Sequence, residues 1–175
     1  MISYKDGDIV VRNMVETDAQ IITDEEIAQG WVHQKVDKYL MRLNDQKNGK
    51  CVALTAEYQG NVAGYLNVYP NSAGGPFAGK GYAELVDFGV LKKYRNHGIG
   101  NILMQTAEEI AKKYSETVYL GVGLHRDYGR AQRMYVKRGY VPDGSGLWYK
   151  GRQLEPYAPL ENDDEAALYL SKRLV

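Results

Sequence analysis

The stretch Leu91-Lys-Lys-Tyr-Arg-Asn-His-Gly-Ile-Gly100 decides how this chain is read. It follows a strand-like run over residues 82–90 and leads into Leu103, Ala107, Ile110, Ala111 and Tyr114, which recur at helical spacing. A strand that turns through glycines into a helix aims several backbone N–H groups at one point. Free amides and the positive end of the helix dipole favour an anion there, and Lys92, Lys93 and Arg95 add charge. A pyrophosphate suits such a point. The P-loop form is excluded, because no Gly-Lys-Ser/Thr follows. The dinucleotide-binding form is excluded too: Leu103 stands where its third glycine would be, and no strand ending in an acidic residue follows at the required distance. On these residues alone, a plain structural turn stays open beside the anion site.

Working outward, residues 51–58, 62–69 and 82–90 read as three strands, the first two joined as a hairpin across Gln59-Gly60-Asn61 and the second ended by Pro70. Residues 8–14 read as an earlier strand. Between them, Thr23 and Glu26 have capping-box spacing. Ile27, Trp31, Val32, Val36, Leu40 and Leu43 then predict one long or two short helices up to Lys47-Asn48-Gly49. Residues 71–81, with four glycines and a proline, predict a mobile loop that either covers a site or is plain slack. Residues 117–124 alternate as a strand whose Gly121 and Gly123 leave one face bare for a ligand or another backbone. A short helix over 130–137 ends at Gly139, and strands near 147–150 and 167–173 close the chain. With no repeat and no linker, residues 1–175 are expected to form one domain.

The charge is balanced, 22 basic against 22 acidic residues, so no global field recruits nucleic acid or an anionic membrane. Cys51 is the only cysteine, which excludes an internal disulfide and a multi-cysteine metal site and fits a reducing compartment. It reads as a small buried hydrophobe, and no metal is expected. No apolar run is long enough for a membrane span, and the first residues lack the layout of a secretion signal, so a cytoplasmic protein is expected. The unusual count is tyrosine, 15 against 2 phenylalanines. Most are expected at the edge of the core, where a ring is buried and a hydroxyl finds a partner, with an aromatic acceptor pocket as the alternative.

Two further features carry a resemblance. Val90 precedes Gly98 within Arg95-x-x-Gly98-x-Gly100, and Ala131, Tyr135, Gly139 and Tyr140 repeat a second spacing downstream. Both resemble signatures of the GNAT superfamily of acetyl-CoA-dependent N-acetyltransferases, and the order of elements agrees along nearly the whole chain. The resemblance implies an α/β (α+β) GNAT fold: a mixed, mostly antiparallel central sheet of about seven strands flanked by about four helices. It implies that the turn's backbone amides, from Arg95, Asn96, His97, Gly98, Ile99 and Gly100 to Asn101, grip the pyrophosphate of acetyl-CoA. Phe88 and Val90 would pair with the pantetheine amides, a cofactor added to a strand edge. Family members often dimerise through their C-terminal strands, so a homodimer is expected on the same ground.

Acyl transfer to an amine requires a neutral amine, a polarised thioester and a protonated leaving thiolate. Glu84 lies six residues before Val90, where some GNAT members carry a glutamate base, and apolar neighbours would raise its pKa. Asp87 is a rival if a bulge changes which side chain faces the cleft, and His125 is another. Tyr135 resembles the family's general acid. Many relatives carry asparagine where this chain has Tyr128, so contacts that depend on that asparagine do not carry over. The acidic run Glu161, Asp163, Asp164 and Glu165 reads as a solvated connection, or as bait for a cationic acceptor. The expected activity is acetyl transfer to a primary amine of a small molecule or peptide; the alternative is a non-catalytic acyl-CoA sensor.

Overall fold

The computed structural model describes residues 1–175, with nine strands and four α-helices. They divide into two compact units, Met1–Tyr69 with Leu85–Ile110, and Pro70–Glu84 with Ala111–Val175.

In the first unit the strands β1 (Ile2–Asp6), β2 (Ile9–Asn13), β3 (Val52–Tyr58), β4 (Asn61–Tyr69) and β5 (Ala83–Val90, from Leu85 on) lie in sequence order. The pairs β1–β2, β2–β3 and β3–β4 are antiparallel. The turn between β3 and β4 has Gln59 and Gly60 at φ 50° and 80°, the two left-handed residues that a tight hairpin of native twist requires. Every residue of β4 from 62 to 68 is buried, the mark of a central strand covered on both faces.

The helices of this unit are α1 (Glu16–Ala28), α2 (Val36–Lys47) and α3 (Ile99–Ala111, through Ile110). The expected capping pair proves to be something else. α1 starts a full two turns earlier, where the Asp18 carboxylate accepts from the Val15 amide at 2.9 Å, while Thr23 donates back to the Ala19 carbonyl within the helix at 2.8 Å. The inner face is Ala19, Ile22 and the carboxylate of Glu26, whereas Ile27, Val32 and Leu40 are exposed. On α2 the buried residue is Tyr39, and Val36 and Leu43 pack beside it against Met14, Cys51 and Tyr65. On α3 the predicted face is buried at Leu103, Ala107, Ile110 and Ala111 and Met104 joins it, but Tyr114 lies beyond the helix and is exposed.

The second unit contains the start of β5, then β6 (Thr117–Gly123), α4 (Gly129–Lys137), β7 (Val141–Tyr149), β8 (Arg152–Gln153) and β9 (Ala166–Arg173), with β6-β9-β7-β8 as neighbours and all antiparallel. α4 ends as expected at Gly139, φ 87°. The Tyr140 amide reaches the Tyr135 carbonyl and the Gly139 amide that of Val136, both at 3.0 Å, which satisfies the last open carbonyls of the helix. The two strands beyond the seven expected are β1, a short hairpin partner for β2, and the two-residue β8.

In this unit tyrosine side chains fill gaps that glycines leave. The bare face of β6 is filled at one end, where the Tyr128 ring comes within 2.3 Å of where a Cβ at Gly123 would stand, while the Tyr169 ring comes within 3.3 Å of one at Gly121, which stays exposed. The loop over 71–81 has contacts of its own. A 3-10 turn, Gly75–Phe77, buries Phe77 against the Tyr119 ring at 4.7 Å, and the Tyr119 hydroxyl donates to the Gly74 carbonyl at 3.1 Å.

Candidate active site

The turn after β5 is built for close approach. Leu91 continues the pairing with β4 through its amide to the Ala63 carbonyl, 2.9 Å, and a 3-10 turn then spans Lys92–Tyr94. Asn96 and Gly98 adopt left-handed φ of 67° and 80°, and a Cβ at Gly98 would meet nothing within 4 Å, so that backbone faces open space. α3 begins at Ile99, and its first bond at this end runs from the Ile102 amide to the Gly98 carbonyl at 3.2 Å. The amides of Ile99, Gly100 and Asn101 therefore precede the helical ladder and point out of its positive end. This is the donor set a pyrophosphate needs, and the residues fit that group.

The side chains around the turn brace it. His97 Nδ1 donates to the carbonyls of Arg95 and Tyr94 at 2.9 and 3.2 Å, and its ring lies 4.5 Å from Tyr58. Arg95 Nε turns back to the Val90 carbonyl at 3.3 Å. Lys92 Nζ and the Arg95 guanidinium each lie 5.9 Å from the Trp31 ring, while the Lys92 amide and ammonium reach Gln29 at 2.7 and 2.8 Å. Lys93 pairs with Glu25 at 2.5 Å. Lys92 and Lys93 thus engage residues at and just beyond the end of α1, and Arg95 engages Val90 and Trp31.

On β5, Phe88 and Val90 are half-buried, and Gly89 between them is where β4 comes closest. A Cβ at Gly89 would fall 2.4 Å from Cζ and the hydroxyl oxygen of Tyr65, and one at Gly64 only 2.8 Å from the Gly89 carbonyl oxygen. Tyr65 in turn donates to Glu26 Oε1, and Tyr39 donates to Glu26 Oε2 at 2.5 Å, with the Lys38 ammonium 4.7 Å from the Tyr39 ring. Burial pushes the Tyr65 and Tyr39 hydroxyls well above the usual tyrosine range, and the adjacent carboxylate adds to the effect. Nothing in the spacing of residues 26, 39 and 65 predicted this buried triad; the surplus of tyrosines was its only trace.

Of the candidate bases, Glu84 is half-buried between the buried Ala83 and Leu85 and accepts from the Tyr119 hydroxyl at 3.3 Å. Asp87 has a left-handed φ of 55°, uncommon for a residue other than glycine inside a strand, and its carboxylate is bound to Arg42 Nε at 2.7 Å. Arg42 also donates to the Tyr69 hydroxyl, which donates to Asp45, at 2.8 and 2.7 Å. Asp87 is therefore an ion-pair partner. His125 has both ring nitrogens engaged: Nδ1 accepts from the Asp127 amide at 3.3 Å and Nε2 donates to Asp164 at 2.9 Å. Asp164 accepts from Tyr128 as well, at 2.8 Å, and Asp163 from Tyr149 at 3.2 Å, so this part of the acidic run clamps side chains and is not simply solvated.

Tyr135 is buried on α4, its ring 5.9 Å from that of Tyr140, and burial raises its hydroxyl above the usual tyrosine range. Cys51 is buried as expected; its thiol donates to the Arg42 carbonyl at 3.5 Å, and burial raises its pKa.

A strand, an amide-lined turn and a helix in this order fit a pyrophosphate-bearing ligand. The profile of the acetyltransferase (GNAT) family matches residues 19–140, and the chain belongs to that family. It is an acyltransferase whose donor is acetyl-CoA. Among solved structures it is similar to Ard1 from Thermoplasma volcanium (TM-score 0.70, 16% identity, covering 97% of this chain and 99% of that one). It is also similar to yncA, a putative acetyltransferase from Salmonella typhimurium with its cofactor acetyl-CoA (0.68, 13%, 97% and 95%). A third is the ribosomal-protein-alanine N-acetyltransferase from Brucella melitensis (0.65, 18%, 94% and 99%). At these identities the likeness is one of fold. No curated protein matches the chain by sequence.

Proposed function

We propose that this acetyltransferase transfers the acetyl group directly to a primary amine of a small molecule or peptide, with Glu84 as general base and Tyr135 as general acid. The observation that carries the reading is the state of Glu84, a half-buried carboxylate between apolar neighbours with a hydroxyl donor beside it. A free alkylammonium has a pKa of about 10, so its proton must leave before or during attack, and a partly desolvated carboxylate is suited to take it. Asp87 is ion-paired with Arg42, and His125 is bound by Asp127 and Asp164, which supports Glu84 over both as the base. A tyrosine hydroxyl carries its proton throughout the neutral range and can pass it to the leaving thiolate, and burial makes that of Tyr135 a weaker acid than a solvated one. The amides of Ile99, Gly100 and Asn101, with the turn before them, hold the pyrophosphate of the donor.

A screen of polyamines, aminoglycosides, amino acids, arylamines and peptide N-termini, read by thiol release and by the mass of the acylated amine, tests this reading. One amine class should give thiol release matched by acetylated product, and Tyr135→Phe should slow it while leaving acetyl-CoA binding intact. Binding of acetyl-CoA with no thiol release from any amine would contradict it.

A further inference from the structure

We propose that Tyr119 is a positioning residue whose single hydroxyl proton is shared between Glu84 and the Gly74 carbonyl, so that the protonation of Glu84 is coupled to the hold on the 71–81 loop. The proposal rests on Glu84 being the base and adds a device that acts through it.

Tyr119 sits on β6, fully buried, with its hydroxyl 3.3 Å from Glu84 Oε2 and 3.1 Å from the Gly74 carbonyl oxygen. A phenolic hydroxyl has one proton to donate, so the two acceptors compete for it. Burial raises the Tyr119 pKa, a hydrogen bond with Ser72 works against the rise and Glu84 adds to it, and the net rise keeps the proton on the tyrosine oxygen while its direction changes. The loop that shares it is otherwise fixed by rings. Phe77 packs on Tyr119, and the Tyr169 ring would be 2.7 Å from a Cβ at Gly75. Tyr119 on β6 bonds Glu84, and Tyr169 on β9 feels the charge of both Glu84 and Asp143 of β7.

The two states follow from the donor and acceptor count. With Glu84 ionised, the Tyr119 O–H turns to the carboxylate, because a hydrogen bond to a charged acceptor is the stronger one. When Glu84 has taken a proton from the amine, its own O–H donates to the Tyr119 oxygen. The Tyr119 proton then turns to the Gly74 carbonyl and tightens the loop. No proton leaves the tyrosine, and the only covalent change is the N–H bond of the amine exchanged for the O–H bond of Glu84.

The test needs no known acceptor. Glutamate labelled with ¹³C at the carboxyl lets Glu84, assigned by its loss in Glu84→Gln, be titrated by NMR in the intact protein. In Tyr119→Phe the midpoint should rise by about 0.5 to 1 pH unit, the loss of one modest hydrogen bond to the charged form. In the wild type the amide signal of Gly75, whose peptide carries the Gly74 carbonyl, should move with the same midpoint as Glu84. An equal midpoint in wild type and Tyr119→Phe overturns the proposal. So does a Gly75 signal that ignores the Glu84 titration, a result that depends on no variant folding. Full turnover by Glu84→Gln would instead remove Glu84 as the base and leave the measured coupling standing, so the two failures are told apart.

Discussion

The Tyr65 ring lies across the backbone of Gly89 so closely that a Cβ at position 89 would stand 2.4 Å from the ring carbon bearing the hydroxyl. The ring cannot retreat, because its hydroxyl is tied to the buried Glu26, which Tyr39 also holds. The middle of β5 is thus set by a side chain from β4 and a carboxylate from α1.

Gly89→Ala should therefore be costly although it adds one methyl group. Overpacking of this kind costs about 2 to 3 kcal/mol, and the melting temperature should fall by about 5 to 10 °C. Thermal denaturation followed by circular dichroism checks this. A variant as stable as the wild type would show that Tyr65 has room to move.

Asp18 ties α1 to the sheet. Its carboxylate accepts from both terminal nitrogens of Arg12 at 2.7 and 3.0 Å, from the Val15 amide at 2.9 Å and from Thr55 at 3.0 Å. Burial works against its charge, but these donors prevail and hold its pKa below the usual carboxylate value. A depressed folded pKa gives stability that is present above the unfolded value, about 4, and is lost as pH falls through the folded one. Asp18→Asn should cost about 2 to 3 kcal/mol at neutral pH, since Arg12 loses one of its two charged partners, keeps Glu57 and remains partly solvated. The wild type should approach the variant's stability as pH falls below the unfolded value and through the depressed folded one. Denaturation in urea across pH 2.5 to 7 reads both effects, and a constant difference between the two proteins would contradict the assignment.

Alkali should unfold the protein cooperatively. Tyr39, Tyr65, Tyr119 and Tyr135 all have pKa values raised by burial. A group whose folded pKa is raised gives stability that is complete below its unfolded pKa, about 10, and is lost as pH rises towards the folded one. Each such tyrosine removes up to about 1.4 kcal/mol per pH unit above that point. Absorbance at 295 nm should show a group of tyrosines ionising together with the loss of helical circular dichroism. Smooth ionisation of all tyrosines near pH 10 in a folded protein would contradict the buried network.

The parts of the fold legible in the sequence were those governed by local chemistry. Gly98 and Gly139 could be read because a left-handed turn leaves few alternatives, and the β3–β4 hairpin because Gln59-Gly60 has the right length and a glycine. What misled was periodicity without partners. Ile27, Val32 and Leu40 fall at helical intervals, yet they are exposed, and the face that is buried carries Glu26, which no hydrophobic pattern selects. Gly121 and Gly123 looked bare because the rings beside them, Tyr169 and Tyr128, are distant or irregularly spaced in the chain. The candidate site divides the same way. The turn was local and readable, whereas Arg42 as the partner of Asp87 and Tyr119 as the partner of Glu84 are long-range facts.

The most direct test of the account is a comparison of wild type and Glu84→Gln in amine-dependent thiol release from acetyl-CoA, using whichever amine the screen identifies, with acetyl-CoA affinity measured in parallel. Loss of a general base should slow turnover by about 100-fold or more while acetyl-CoA binding stays within about twofold of wild type. Turnover by Glu84→Gln at the wild-type rate would contradict the account.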